Sequence, residues 1–400
     1  MIRSIEHVDV RGKRLLIRVD YNVPLEGGRI TDDNRIRAGL PTLEHALVRG
    51  ASLVVCSHLG APKGKVVAEL SMKPLAARMA ELLGREVGMA PDCVGPEVEA
   101  LAAKLQPGQV LMLENLRFHA EEEGKTPEKR GDFGAKLAAL GDIYVNDAFA
   151  VCHRDNASVV DAPRHARLCC AGLLLQKEWK YLGEALAEPK RPFVAVSGGA
   201  KVSSKIGVLQ NLLAKVDHLI IGGAMANTFL LAQGRNMGKS LVEPELVDTA
   251  KEILARAKEK NATVHLPVDL VWGFDPKDEK AGGTCCVDEL PADAVALDIG
   301  PKSLEAFGKV LSQAATVVWN GPVGLFENPA FAAGSMGICR AIAMLHALTI
   351  VGGGDTDAVV LESGLAGKMS FVSTAGGAFL EFLEGKELPA LKALKECFAK

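Results

Sequence analysis

The sequence predicts an α/β protein in two halves, each a parallel sheet covered by helices on both faces, with a helix at the join. Three observations predict it. Ten short apolar runs alternate with longer segments that are apolar at helical spacing, as expected of parallel strands buried on both faces. Polar residues and glycines fall where the runs end, which is where open α/β sheets hold ligands. The 400 residues suffice for two or three sizeable cores.

In chain order the first half offers "LLIRVDYNV" (15–23), "SLVVCSHLG" (52–60), "VLMLENLRF" (110–118) and "IYVNDAF" (143–149) as strands. Their ends carry Asp20, Asn22, His58, Arg117 and Asp147. The second half offers "PFVAVSGG" (192–199), "HLIIGGAM" (218–225), "TVHLPVDLV" (263–271), "TVVWNGPVG" (316–324), "LTIVGGGDT" (348–356) and "FVSTAGG" (371–377). Their ends carry mostly glycine. One half is suited to an anion held by side chains, the other to phosphates held by backbone. Between them, "GLLLQKEWKYLGEALAEPKRP" (172–192) reads as one amphipathic helix ended by Pro189 and Pro192.

Hydrophobic residues make up 48% and charged residues 24%, with a net charge of −3. That is a globular composition, and it argues against a general nucleic-acid or polybasic membrane binder. An anion site must therefore be local. Nine cysteines include the adjacent pairs Cys169–Cys170 and Cys285–Cys286. With no CxxC and no Cys/His ligand spacing, a structural zinc is not expected. The opening "MIRSIEHVDV" has no apolar core of a signal peptide, and no run approaches a membrane span. A reducing cytoplasm is the expected address.

Several constellations carry chemistry. "SGGAKVSSKIGVLQNLL" (197–213) follows a strand with glycines, and Lys201 and Lys205 share a face if the helix begins there. A helix start with two ammonium groups suits a polyphosphate; the alternative is a tight turn with two solvated lysines. "GGGDT" (352–356) adds amides at a second helix start, with Asp355 placed for a magnesium ion riding on phosphates. "STAGG" (373–377) repeats the pattern. "GRNMGKS" (234–240) lacks the spacing of a P-loop and reads as a loop. "NRIRAGLPTLEHAL" (34–47) puts Arg35 and Arg37 in a first helical turn, where cations oppose the dipole unless an anion binds. "NLRFH" and "VCHRDN" add Arg117, His119, His153 and Arg154. Cys152 and His153, adjacent in the chain, do not make a nucleophile and base.

These motifs in order, "RVDYNVP", "SHLG", "LENLRF", "NDAF", "GGAKV", "WNGPVGLFE", "GGGDT" and "STAGGAFLEFLEGK", resemble phosphoglycerate kinases across essentially the whole chain. The resemblance implies an N-terminal 3-phosphoglycerate domain (1–171, joined by the tail 389–400), a hinge helix (172–188) and a nucleotide domain (189–388). It implies a cytoplasmic monomer that moves a phosphoryl group between 1,3-bisphosphoglycerate and MgADP, giving 3-phosphoglycerate and MgATP. Magnesium would arrive with the nucleotide. No nucleic acid or membrane partner is implied.

Carried over by residue, Asp20, Asn22, Arg35, His58, Leu59, Gly60, Ala61, Arg117 and Arg154 would bind 3-phosphoglycerate. Gly198, Gly199, Lys201, Lys205, Gly222, Gly223, Pro322, Glu327, Gly353, Gly354, Asp355 and Thr356 would bind nucleotide, with Asp355 on the metal. Arg35, Lys201, Lys205, Gly354 and Gly377 would serve the transfer itself. Three places depart from the family pattern. Ala61 replaces an arginine, Ser204 an aspartate, and "VCHRDN" differs around its core. Two competing readings follow: a family-like nucleotide binder with weakened catalysis, and a dehydrogenase. The second lacks a GxGxxG after a strand.

Overall fold

The structure, a computed structural model, describes residues 2–184 and 186–398. Ala185, inside the expected hinge helix, and Ala399 and Lys400, in the expected tail, lie outside the described residues. The chain forms two compact units, Met1–Lys180 with Glu387–Lys400, and Tyr181–Lys386.

The first unit is built on a six-stranded parallel sheet of β1 (Arg14–Val19), β4 (Ser52–Cys56), β5 (Val87–Met89), β6 (Val110–Met112), β7 (Ile143–Asp147) and β8 (Cys169–Ala171), in the order β5-β6-β4-β1-β7-β8. A small hairpin, β2 (Leu25–Glu26) and β3 (Arg29–Ile30), stands apart. The helices are α1 (Asn34–Val48), α2 (Lys73–Leu83), α3 (Pro96–Ala103), α4 (Pro127–Ala138), α5 (Ala162–His165), α6 (Leu173–Glu178) and the tail helix α14 (Pro389–Phe398). Leu15, Ile17, Leu53, Val55, Met112 and Val145 fill the core below α1 and α2. A disulfide joins Cys169 of β8 to Cys397 of α14.

The second unit repeats the plan with β9 (Phe193–Ser197), β10 (His218–Ile221), β11 (Thr263–His265), β15 (Thr316–Asn320), β16 (Leu348–Val351) and β17 (Phe371–Val372), in the parallel order β11-β10-β9-β15-β16-β17. Its helices are α7 (Ile206–Leu213), α8 (Gly223–Ala232), α9 (Val247–Glu259), α10 (Pro301–Leu311), α11 (Ala333–Ala343), α12 (Gly354–Glu362) and α13 (Gly377–Leu383). An antiparallel sheet of β12 (Asp269–Gly273), β13 (Gly283–Cys286) and β14 (Val295–Ile299), in the order β13-β12-β14, is added.

Three expectations are corrected. "TVHLPVDLV" is two strands in two sheets, because Pro267 has no N–H to continue a ladder. The expected joining helix changes pitch, with α6 followed by a π-helical segment, Trp179–Glu184. The helix after "SGGAK" begins at Ile206, so Lys201 and Lys205 lie in the turn before it and do not share a helical face. Among the described residues no helix is long and apolar enough to cross a membrane.

Candidate active site

In the first unit the predicted anion residues stand at or just beyond the carboxyl ends of neighbouring strands. Asp20 and Asn22 follow β1, His58 follows β4, Arg117 follows β6, and Arg154 follows β7. Asp20 pairs with Arg35 from the first turn of α1, so the anion that Arg35 needs is present in the protein itself. Arg37 is different. Its Nε bonds Asp33 at 2.8 Å, beside Arg78, and this arginine needs no ligand.

His58 is buried, and its Nδ1 lies 3.2 Å from the guanidinium of Arg18 and 3.6 Å from Asp20. Arg18 has only protons to give, so Nδ1 accepts and the ring proton sits on Nε2. At 3.6 Å the Asp20 contact is not a hydrogen bond. Burial, then the charge of Arg18 and those of Arg117, Arg35 and Arg154, hold His58 well below its ordinary pKa. His58 is therefore a neutral Nε2–H donor. Behind it, Arg18 donates from Nε to Ser158 at 2.9 Å, and Ser158 donates to the buried Glu122 at 2.6 Å.

Arg117 donates to the Gly60 carbonyl at 2.7 Å and pairs with Glu123 at 2.8 Å. Asn115 holds this corner. Its Oδ1 accepts from the Leu59 and Arg117 amides, and its Nδ2 donates to the carbonyls of Leu59 and Leu70. Asn22 accepts from the Gly60 amide at 2.8 Å. Gly60 has φ +60°, and a side chain there would meet Leu70 at 2.8 Å. Ala61 is exposed and adds no charge, and Arg154 is exposed. Asp20 Oδ1 and Arg117 Nε are among the buried polar atoms that have no hydrogen-bond partner among the described residues. Such groups are destabilising unless a ligand pairs them.

In the second unit, Gly199, Lys201, Lys205, Gly353, Gly354, Asp355 and Thr356 line one cavity of about 330 Å³ with Ser204 and Asn320. The glycines at this unit's strand ends have two different causes. A side chain on Gly198 would collide with the Pro322 carbonyl, and one on Gly223 would lie 2.6 Å from the Gly199 carbonyl. Gly222 is likewise crowded by Val323, at 2.5 Å. These three let the protein's own strand ends approach. Gly354 differs: nothing lies within 4 Å of its Cβ position, and it opens α12. No protein atom demands its bareness. The free amides of a helix start, opening on a cavity, suit an anion.

Lys205 is buried, and its ammonium bonds both oxygens of Asn320, the backbone one at 3.2 Å. Burial lowers its pKa to about 8, against the opposing charge of Asp355. Asp355 is exposed in the first turn of α12, while Thr356 accepts from the Gly321 amide at 2.6 Å. Lys201 is exposed. Gly377 opens α13 beside Gly376, which lines the cavity. Pro322 packs behind Gly199, accepting its amide at 2.9 Å. Glu327 is exposed in the loop after β15 and is not among the cavity residues.

The family profile described as "Phosphoglycerate kinase" matches residues 5–386. The chain belongs to the phosphoglycerate kinase family. It is 62% identical to the phosphoglycerate kinase of Maridesulfovibrio salexigens, over 99% of this chain and 100% of that one. It is 53% identical to that of Moorella thermoacetica, over 98% and 99%. Among solved structures, the phosphoglycerate kinase from Coxiella burnetii matches with a TM-score of 0.91 at 42% identity, over 99% of both chains. That from Pyrococcus horikoshii matches with 0.86 at 32%, over 100% of both. The protein is therefore a phosphotransferase, a kinase of glycolysis, and nothing in these likenesses favours a relative with weakened catalysis.

Arg18, Asn115, Glu122 and Asn320 went unassigned in the sequence. Arg18 had a visible signal, a charge between apolar residues in the interior of a strand. The others had none, because their partners lie far along the chain.

Proposed function

We propose that the enzyme transfers a phosphoryl group reversibly between 1,3-bisphosphoglycerate and MgADP, with 3-phosphoglycerate on the first unit and the nucleotide on the second. One observation carries this reading: the two sets of strand ends divide by donor type, side-chain cations on one and bare amides with a buried lysine on the other.

On the first unit, Asp20 Oδ1 would accept from the glycerate hydroxyl and Asn22 would hold the carboxyl end by donating to it. Arg35 would meet the transferring group. His58, Arg117 and Arg154 would hold the 3-phosphate, with Leu59, Gly60 and Ala61 supplying the loop around it. Asp20 Oδ1 and Arg117 Nε, both buried and without a hydrogen-bond partner among the described residues, support this use. On the second unit, Lys201, Lys205 and the first turn of α12 would neutralise nucleotide phosphates. Gly198, Gly199, Gly222, Gly223 and Pro322 would bound the adenosine, Glu327 the ribose, and Gly377 would act with Gly354 at the transferred group. One exposed carboxylate, Asp355, fits a magnesium ion that keeps most of its waters and shares phosphate oxygens. Such an ion neutralises developing phosphate charge.

Phosphoryl transfer asks for positioning and charge neutralisation. The acceptor is a carboxylate, ionised at neutral pH, so no side chain has to remove a proton. That agrees with a neutral, donating His58. Ligands held on separate units have to be brought together, so hinge motion belongs to the proposal, as do a monomeric state and a cytoplasmic location. In a reducing compartment the Cys169–Cys397 bond would be a reversible one.

The test is a coupled assay with 3-phosphoglycerate and MgATP, following NADH loss through glyceraldehyde-3-phosphate dehydrogenase. Loss that requires both substrates supports the reaction. No loss at saturating substrate rejects it.

A further inference from the structure

The sequence offers no pair of cysteines at zinc spacing, yet the fold brings three different ligating side chains together in the first unit. Asp92 and Cys93 lie in the loop after β5, and His119 follows the turn Leu116–Phe118. One carboxylate oxygen of Asp92, the Cys93 Sγ and one ring nitrogen of His119 all lie within 4.8 Å of one another. We propose that Asp92, Cys93 and His119 form a binding site for one divalent cation of the zinc class.

The donor set selects the ion. One thiolate sulfur, one imidazole nitrogen and one carboxylate oxygen suit a borderline-soft cation such as Zn²⁺ and do not suit Mg²⁺, which demands oxygen ligands. Three protein ligands leave a fourth tetrahedral position for water. The site is also pre-arranged. The His119 ring stacks on Phe133 at 4.9 Å, and its Nε2 meets Asp92 Oδ1 at 2.6 Å. Cys93 Sγ is fixed by a bond to the Glu114 carbonyl at 2.9 Å. Asp92 is exposed, which gives the ion a way in, while Cys93 is buried and anchors the floor.

Binding would require small changes. Ligands at zinc distances lie about 3.2–3.7 Å from one another, so the Asp92–His119 contact, at 2.6 Å, would open by roughly 0.6–1 Å. The thiol proton would leave to solvent as the sulfur takes the metal, and the bond to Glu114 would be given up. The site is separate from the magnesium proposed at Asp355, which belongs to the second unit. His119 is two residues from Arg117, so an ion here would pin the turn that carries a proposed substrate arginine.

The test is titration of the metal-free full-length protein with Co²⁺, a spectroscopic substitute for Zn²⁺. The expected result is one equivalent bound, with a thiolate-to-cobalt charge-transfer band that Zn²⁺ abolishes by displacement. Cys93→Ser should remove the band. Losing even an outer partner of a metal site lowers affinity 10–100-fold, so His119→Gln and Asp92→Asn should weaken binding by at least ~10-fold. Asp92 is exposed, so Asp92→Asn remains informative if Cys93→Ser fails to fold. A pair of imidazoles elsewhere, His218 and His265 at 3.1 Å, supplies the control: His265→Gln should leave the band unchanged. A band that survives in Cys93→Ser, or binding lost only in His265→Gln, overturns the assignment. So does the absence of any charge-transfer band under excess Co²⁺, which would leave the three side chains as a hydrogen-bonded clip.

Discussion

His58 and Lys205 show how burial sets protonation in the two proposed sites. His58 stays neutral because burial and the guanidinium of Arg18 both oppose a second proton. Lys205 has its pKa lowered to about 8, mainly by burial. Its folded value lies below its unfolded one, so the unfolded chain binds more protons between about pH 8 and 10.5, and this residue's contribution to stability rises with pH across that window. Nucleotide binding runs the other way, because phosphates favour the charged lysine. The Kd for MgADP should rise with pH above about 8, by up to ~10-fold per pH unit, and Lys205→Arg should flatten that limb. A calorimetric pH series measures both; an unchanged slope in Lys205→Arg would remove Lys205 from the phosphates. For Arg35, held by Asp20 in the free protein, Arg35→Ala should lower kcat by on the order of 10²-fold or more with a smaller change in KM. Steady-state kinetics decides, and a raised KM at normal kcat would count against a role in the transfer.

Among the elements, the strands with long apolar runs were readable, as β1, β4, β9 and β15 show, because a strand buried on both faces leaves a plain apolar signature. β5, β8 and the antiparallel sheet were not. A three-residue strand such as Cys169–Ala171 carries too few positions for a period, and its place is fixed by pairing with β7. The polar residues at strand ends were readable as such for the same reason as the strands they follow, and their use as a site is the proposal made above. Their supports were not: the partners of Arg18, Asn115 and Glu122 lie 140, 56 and 36 residues away. The glycines had one signature and two causes. Gly354→Ala should keep the thermal transition and weaken nucleotide binding, since its Cβ meets open space. Gly198→Ala should destabilise by about 1–3 kcal/mol, from overpacking against Pro322. Paired melting and MgADP titrations separate them; unchanged nucleotide affinity in Gly354→Ala would leave the open end of α12 without a ligand.

At the scale of the molecule, the Cys169–Cys397 bond spans 228 residues of sequence and fastens α14, which closes the chain's return to the first unit. The chain-entropy account gives such a closure on the order of 5 kcal/mol. Reductant should lower Tm by several degrees, and Cys397→Ser should lower it equally and abolish the response to reductant. A Tm indifferent to both changes would mean that packing of α14 alone holds the tail. In the proposed reaction the two ligands belong to separate units. Hydrogen exchange of the full-length chain, with MgADP alone and with 3-phosphoglycerate alone, tests it most directly. MgADP should protect amides in 198–205 and 352–357 without protecting those of 20–22, 58–61 and 115–119, and 3-phosphoglycerate should do the reverse. Protection of the first unit's strand ends by MgADP alone would contradict it.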